Sequence, residues 1–282
     1  MAVVKPTRAS LLFAKDDTKA ATAAPPPNDW LKQLLNDTIE AGQPLWVPEK
    51  KHFRASGAGT KCVRALTFQC AGHRVPHKAK TRRLFKVGDA IEDEVVGTMQ
   101  LAGIVEETQA PIEYEDPPVK GKADVIARRP SDAKLLVGEV KSINSNQFKR
   151  LPREHDVILA SASPLFAIKP GYVEQWNTYA CAPDRDFDEG FVLFEAKDDS
   201  DEKVYWLRRD DELMGAALDR MRIASRYVQD EPQRVAPIPD DRNPFKGDPV
   251  CAECPHRYLC RLVPEEGATV GRVKELDAEV RG

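Results

Sequence analysis

The stretch that decides the fold is Gly121-Lys122-Ala123-Asp124-Val125-Ile126, followed after a turn by Leu135-Leu136-Val137-Gly138-Glu139-Val140-Lys141. Both runs are short, apolar and rich in β-branched residues, the pattern of buried strands. Between them, Arg129-Pro130-Ser131-Asp132 has turn chemistry, because Pro fixes φ and the Ser and Asp side chains bond nearby backbone. A hairpin symmetric about Ser131 and Asp132 sets Asp124 opposite Glu139, with Cβ atoms roughly 4.5–5.5 Å apart. Lys141, two residues on, projects from the same face as Glu139. Two opposed carboxylates repel, whereas a divalent cation turns them into a site that Lys141 completes. The alternative, a surface hairpin with scattered charges, leaves three charged groups in apolar strands without a reason. The hairpin reads as a metal-dependent catalytic centre.

Composition sets the frame for that centre. The 282 residues are 41% hydrophobic and 31% charged, with a mean hydropathy of -0.49, as in a soluble globular chain with a full core. No apolar run is long enough to span a bilayer and the amino end lacks a signal-peptide core, so the expected compartment is cytoplasmic. Net charge is -3, but its distribution is uneven. From Lys50 to Lys86 there are eleven Lys or Arg and no Asp or Glu, which suits phosphate binding; a solvated face is the other reading.

Along the chain, residues 1–27 end in three prolines and read as a disordered tail. Asn28 caps a helix whose Trp30, Leu31, Leu34, Leu35 and Ile39 form an apolar stripe, expected to pack into the core. Further helices are expected over 62–70, 81–101, a short one starting at Asn144 or Ser145, 171–181 and one from Asp210 or Asp211 to about Gln229, with strands near 104–107, 187–196 and 203–208. Gly88 and Glu92, and likewise Gln175 and Tyr179, are four apart and share a helix face. The order implies an α/β chain with a mixed central sheet flanked by helices, a core domain over 28–265 and a tail over 266–282. Cys251, Cys254 and Cys260 form a compact ligand set framed by Pro249 and Pro255. Spacing alone does not separate a four-cysteine zinc site from a 4Fe–4S cluster, and His256 offers zinc another ligand. Cys70 and Cys181 read as buried small residues.

Taken together, Gly88-x3-Glu92, Gly121-x2-Asp124, Glu139-x-Lys141 and Gln175-x3-Tyr179, flanked by Cys62 and Cys251-x2-Cys254-x5-Cys260, resemble the RecB-like branch of the PD-(D/E)XK nucleases. More narrowly, the chain looks like the iron–sulfur exonucleases associated with CRISPR adaptation and their phage-encoded relatives, over roughly 54–261. The resemblance implies a restriction-endonuclease-like sheet in which Asp124, Glu139 and the Val140 carbonyl bind Mg²⁺ or Mn²⁺. Lys141 would position the attacking water or steady phosphate charge, and Gln175 and Tyr179 would line the site. Two departures stand out: Ala123 precedes Asp124 where the family often has Pro, and Glu92 replaces a metal-binding His. Glu is a hard-cation ligand, which favours Mg²⁺ over softer ions.

The resemblance also supplies Cys62 as fourth cluster ligand and favours 4Fe–4S, with zinc the alternative. The cluster would then join the amino- and carboxyl-side helical segments. The expectation is a metal-dependent DNA exonuclease acting on single-stranded ends, with Arg54, Lys61, Arg64, Arg82, Arg83, Lys149 and Arg150 along the strand. No helicase motif is seen, so a helicase, recombinase or integrase is the expected kind of protein partner. The competing readings are a non-catalytic nucleic-acid-binding adaptor and a zinc-ribbon interaction protein.

Overall fold

The computed structural model describes residues 30–245 and 247–281; the expected 1–27 tail and the Asn28 cap lie outside them. Helix α1 (Trp30–Glu40) precedes a sheet of seven strands, and α2 (Val63–Cys70) and α3 (Ala79–Leu101) lie between its first strand and its second. The strands are β1 (Phe53–Arg54), β2 (Val105–Tyr114), β3 (Val119–Arg128), β4 (Leu135–Ile143), β5 (Ile158–Leu159), β6 (Glu189–Ala196) and β7 (Glu202–Arg208). Between strands run α4 (Ser145–Phe148), α5 (Pro164–Ile168) and α6 (Pro170–Ala180), and α7 (Asp211–Val228) follows β7. The sheet is mixed: β4 runs parallel to β6, β6 antiparallel to β7, and β5 parallel to β7. Asn144 and Asp210 cap α4 and α7 by accepting backbone N–H groups, as their residue types anticipate.

The centre of the sheet is β3. β2 lines one of its edges from Val119 to Ala127. The other edge is shared, with β1 pairing at Val119 and Lys120 and β4 pairing from Val125 to Arg128. Gly121 to Asp124 lie between, so the sheet opens there into a wedge. Val125 faces Gly138, and one further step along that register is Asp124 with Glu139, as the hairpin reading expects. The ladder itself stops at Val125, one residue short.

Two helical layers cover the sheet. On one face Trp176 of α6 is fully buried among Ile126, Val137 and Val192, and its indole N–H donates to the Val137 carbonyl at 3.0 Å. On the other face Val95 and Val96 of α3 pack on Val125, Leu136 and Val140. A third cluster, with Phe68, Val235, Leu259, Val263 and Val273, joins α2 to the carboxyl-terminal elements. These are β8 (Arg234–Val235), α8 (Pro249–Ala252), α9 (Arg257–Leu262), β9 (Ala268–Thr269) and α10 (Val270–Arg281). Among the described residues no helix is long and apolar enough to cross a membrane.

Three expectations need correction. The strand near 104–107 extends to Tyr114, because pairing with β3 continues that far. The stretch expected as a tail from 266 forms β9 and α10, which bury Val270 and Val273 and accept the Trp46 indole N–H on Asp277 at 3.0 Å. And the α1 stripe is not core: Trp30, Leu31, Leu34 and Leu35 are each about half exposed among the described residues, and α1 rests against α3 through Arg82 to the Ile39 carbonyl and Arg83 to Asn36.

Candidate active site

The wedge beside β3 gathers the acidic residues and the lysine. Asp124 is buried, and its Oδ2 accepts the Val140 backbone N–H at 2.8 Å, replacing the ladder bond the splayed strands no longer make. Glu139 is fully buried. Its Oε1 meets the Lys141 ammonium and accepts from Gln175 Nε2 at 2.5 Å, while its Oε2 is buried with no donor among the described residues. Gln175 also donates to the Tyr179 hydroxyl at 2.9 Å, so the i, i+4 pair on α6 acts as one arm reaching Glu139. From the opposite layer, Glu92 of α3 lines a hollow with Asp124, Thr108 and Gln109.

Backbone close approach explains two glycines. A Cβ on Gly121 would lie 2.5 Å from the Ala55 Cβ and 3.1 Å from Tyr179 Cε1. A Cβ on Gly88 would lie 3.0 Å from Ser142 Oγ, so glycine there lets α3 settle on β4 and bring Glu92 inward.

Electrostatics reflect crowding in a dry place. Burial pushes the Glu139 carboxyl up to about 8, with the Asp124 and Glu92 charges adding to the effect and Lys141 opposing it. Burial likewise raises Glu92 to about 7, aided by Asp124. Asp124 is raised by burial despite Lys141 and the Val140 N–H. Burial acts to lower the Lys141 ammonium, but the Glu139 and Asp124 charges outweigh it and the net direction is up. Three carboxylates beside one ammonium, with one carboxylate oxygen lacking any donor, fit a hard divalent cation. Among the described residues, no three His, Cys, Asp or Glu side chains are already arranged to hold a metal; at the acidic cluster the Lys141 ammonium sits on Glu139.

Two contributors carry no sequence signal or a weak one. Gln109 adopts φ 49° between Thr108, paired with Val125, and Ala110, paired with Ala123; it faces Asp124 and donates to Glu92 at 2.9 Å. Nothing in the sequence marks that left-handed residue. Tyr172 lies under the Lys141 ammonium at 5.8 Å, and its spacing of three from Gln175 on a helix was the available clue.

The four cysteines Cys62, Cys251, Cys254 and Cys260 line one small hollow together with Arg64 and His256. Cys62 stands at the amino end of α2 and the others in the α8–α9 region, so the hollow lies where the third apolar cluster joins the two flanks. All six cysteines are free. Burial raises Cys251, Cys254 and Cys260, the last to about 11 with Arg64 opposing. The four cysteines share this hollow, but no three of them are already arranged to hold a metal. Burial pushes His256 down to about 3, and its Nδ1 pairs with that of His73 at 2.9 Å. Cys70 is buried as expected, whereas Cys181 is half exposed.

The basic residues sort unevenly. Arg64 is fully buried and donates to the carbonyls of Val263, Pro264 and Glu265, so it is no part of an exposed strand-binding face. Lys61 pairs with buried Glu174, and Arg82 and Arg83 hold α1. Arg54, Lys149 and Arg150 are exposed.

The chain matches no protein-family model, and no curated protein matches its sequence. Among solved structures it is similar to an alkaline exonuclease, LHK-Exo, from Laribacter hongkongensis, at 15% identity and a TM-score of 0.44, covering 71% of this chain and 93% of that one. The same exonuclease in complex with dAMP gives 16% identity and a TM-score of 0.44 over 64% of this chain and 89% of that one. The structure of SSO0001 gives 16% and 0.40 over 84% and 97%.

Proposed function

We propose that the protein is a divalent-cation-dependent DNA nuclease, acting on single-stranded ends as an exonuclease. The observation that carries the reading is the buried Glu139 carboxylate, held by Lys141 and Gln175 beside Asp124 with its Oε2 lacking a donor. Asp124, Glu139, Glu92 and the Val140 carbonyl would hold Mg²⁺ or Mn²⁺. Such an ion supplies Lewis-acid charge to the phosphodiester and the attacking water. Lys141 then offsets charge developing on the phosphate, in a buried setting where each charge counts for more than in water. Gln175 fixes Glu139, and Tyr179 braces Gln175. Cys62, Cys251, Cys254 and Cys260 would hold a 4Fe–4S cluster, with zinc the alternative, as a structural clamp between the amino-side helix α2 and the carboxyl-terminal module. The test is cleavage of labelled single-stranded DNA with Mg²⁺ or Mn²⁺ by wild type and Lys141→Ala. Equal activity in both removes the assignment.

A further inference from the structure

The cations of the 50–86 stretch, Lys80 and Lys86 of α3 aside, divide into two sets. Lys51, Lys61, Arg64, Lys78, Arg82 and Arg83 are engaged with carboxylates, carbonyls or an amide. Lys50, Arg54 and Arg74 have no ion pair and no side-chain hydrogen bond among the described residues, and all three line one cavity of about 600 Å³. Among the described residues no Asp or Glu lines it, while His52 and Arg82 do. Its size falls within the range of ligand sites. A second hollow shares Lys50, His52, Arg54 and Ser56 with it and continues past Lys122 to Gln175 and Tyr179. The basic cavity is therefore the far end of a path that starts at the candidate active site.

Uncompensated like charges cost stability, and a fold keeps them where a ligand supplies the opposite charge. The crowding here is visible in each group. Burial lowers Lys50, with Arg54 and Arg74 adding to it. Burial lowers Arg54, again with Arg74. Burial lowers His52, with Lys50, Lys120 and Arg54 adding and Glu113 opposing. The neighbouring His73 and His256 of the cavity wall are buried and bring no negative charge.

We infer that Lys50, Arg54 and Arg74 form a phosphate-binding site that holds the backbone of a single nucleic-acid strand one step away from the bond at Asp124 and Glu139. This rests on the nuclease reading for the identity of the strand, and on the cavity alone for the phosphate chemistry. Lys50 and Arg74 are half-buried, so the bound phosphates exchange water for fixed donors rather than for mobile surface charge.

The experiment measures binding of a fluorescent single-stranded DNA oligonucleotide by anisotropy, in chelator so that nothing is cut, for the full chain and the Lys50→Gln/Arg74→Gln double variant. The expected result is roughly tenfold weaker binding and a salt dependence shallower by about 0.7 per lost phosphate contact. The melting temperature of the double variant should hold or rise, since repulsion is removed. Should it fall together with binding, the charge-keeping Lys50→Arg/Arg74→Lys double decides: recovered binding supports the site, and no recovery overturns it. Inorganic phosphate and a poly-glutamate peptide serve as competitors. Displacement of the oligonucleotide by either at equal charge concentration overturns the strand assignment, as does binding by the double variant within twofold of wild type. Failure of the nuclease reading is separate: it appears as no cleavage by wild type with any divalent cation, whatever the anisotropy shows.

Discussion

Asp124 Oδ2 accepts the backbone N–H of Val140 at 2.8 Å, across the point where β3 and β4 part. A side chain thus closes the bond that the strand ladder leaves open, and it does so with the carboxylate proposed to share an ion with Glu139. Asp124→Asn keeps an acceptor for Val140 and removes a desolvated charge. It should leave the melting temperature at neutral pH unchanged or higher, while cleavage falls by at least about 100-fold. Asp124→Ala strands the N–H and should cost about 1–3 kcal/mol in denaturant titration. A destabilised, active Asp124→Asn would contradict both halves.

Stability should depend on pH through Glu139. Its carboxyl stands at about 8 in the fold against 4.5 ordinarily, so the folded chain keeps a proton that the unfolded chain gives up. The contribution is full below about pH 4.5 and is lost as pH rises through about 8. Denaturant midpoints of wild type relative to Glu139→Gln, taken in chelator, should decline across that window. Saturating Mg²⁺ should flatten the decline, because the ion favours the charged carboxylates.

The arm from α6 gives a graded result. Gln175→Ala removes one donor to Glu139 and should lower turnover roughly 10- to 100-fold. Gln175→Glu places a third carboxylate against Glu139 and should cost more. Tyr179→Phe leaves the Gln175–Glu139 bond intact and should cost least. Steady-state cleavage rates for the three variants check the order.

Arg64 separates structure from binding. Its buried guanidinium serves three carbonyls of the 263–265 turn beside Cys62 and Cys260, so Arg64→Ala should destabilise by at least about 2 kcal/mol. Any loss of DNA affinity should follow unfolding of the carboxyl-terminal module, seen by hydrogen exchange in α9 and α10. A stable Arg64→Ala with weakened DNA binding would reverse the assignment.

The proposed cysteine-bound metal centre has its own readout. Anaerobically purified protein with a 4Fe–4S cluster absorbs broadly in the visible and carries iron, while the zinc alternative is colourless. Cys251→Ser should lose the metal and lower the melting temperature, with α8 to α10 the first elements to exchange.

The hairpin was legible because pattern, turn and register all point one way: two apolar runs and a Pro-Ser-Asp turn leave one pairing, and Val125 does face Gly138. The starts of α4 and α7 were legible to within one residue for the same local reason, with Asn144 and Asp210 the caps observed. Burial was not. Arg64 and Arg54 look alike in a basic stretch, yet one is fully buried and the other exposed, which only tertiary packing decides. The α1 stripe has the spacing of a core helix but is about half exposed among the described residues, since periodicity states that a face is apolar and not what covers it. The wedge beside Asp124 depends on β1 and β4 sharing one edge of β3, a non-local pairing that no window of sequence contains.

The most direct measurement is cleavage of 5′- and 3′-labelled single-stranded DNA by wild type and Lys141→Ala, with Mg²⁺, with Mn²⁺ and in chelator. The account predicts cation-dependent shortening by wild type from an end, none in chelator, and a loss of at least about 100-fold in Lys141→Ala. Cleavage that persists in chelator, or that is the same in both proteins, would contradict it.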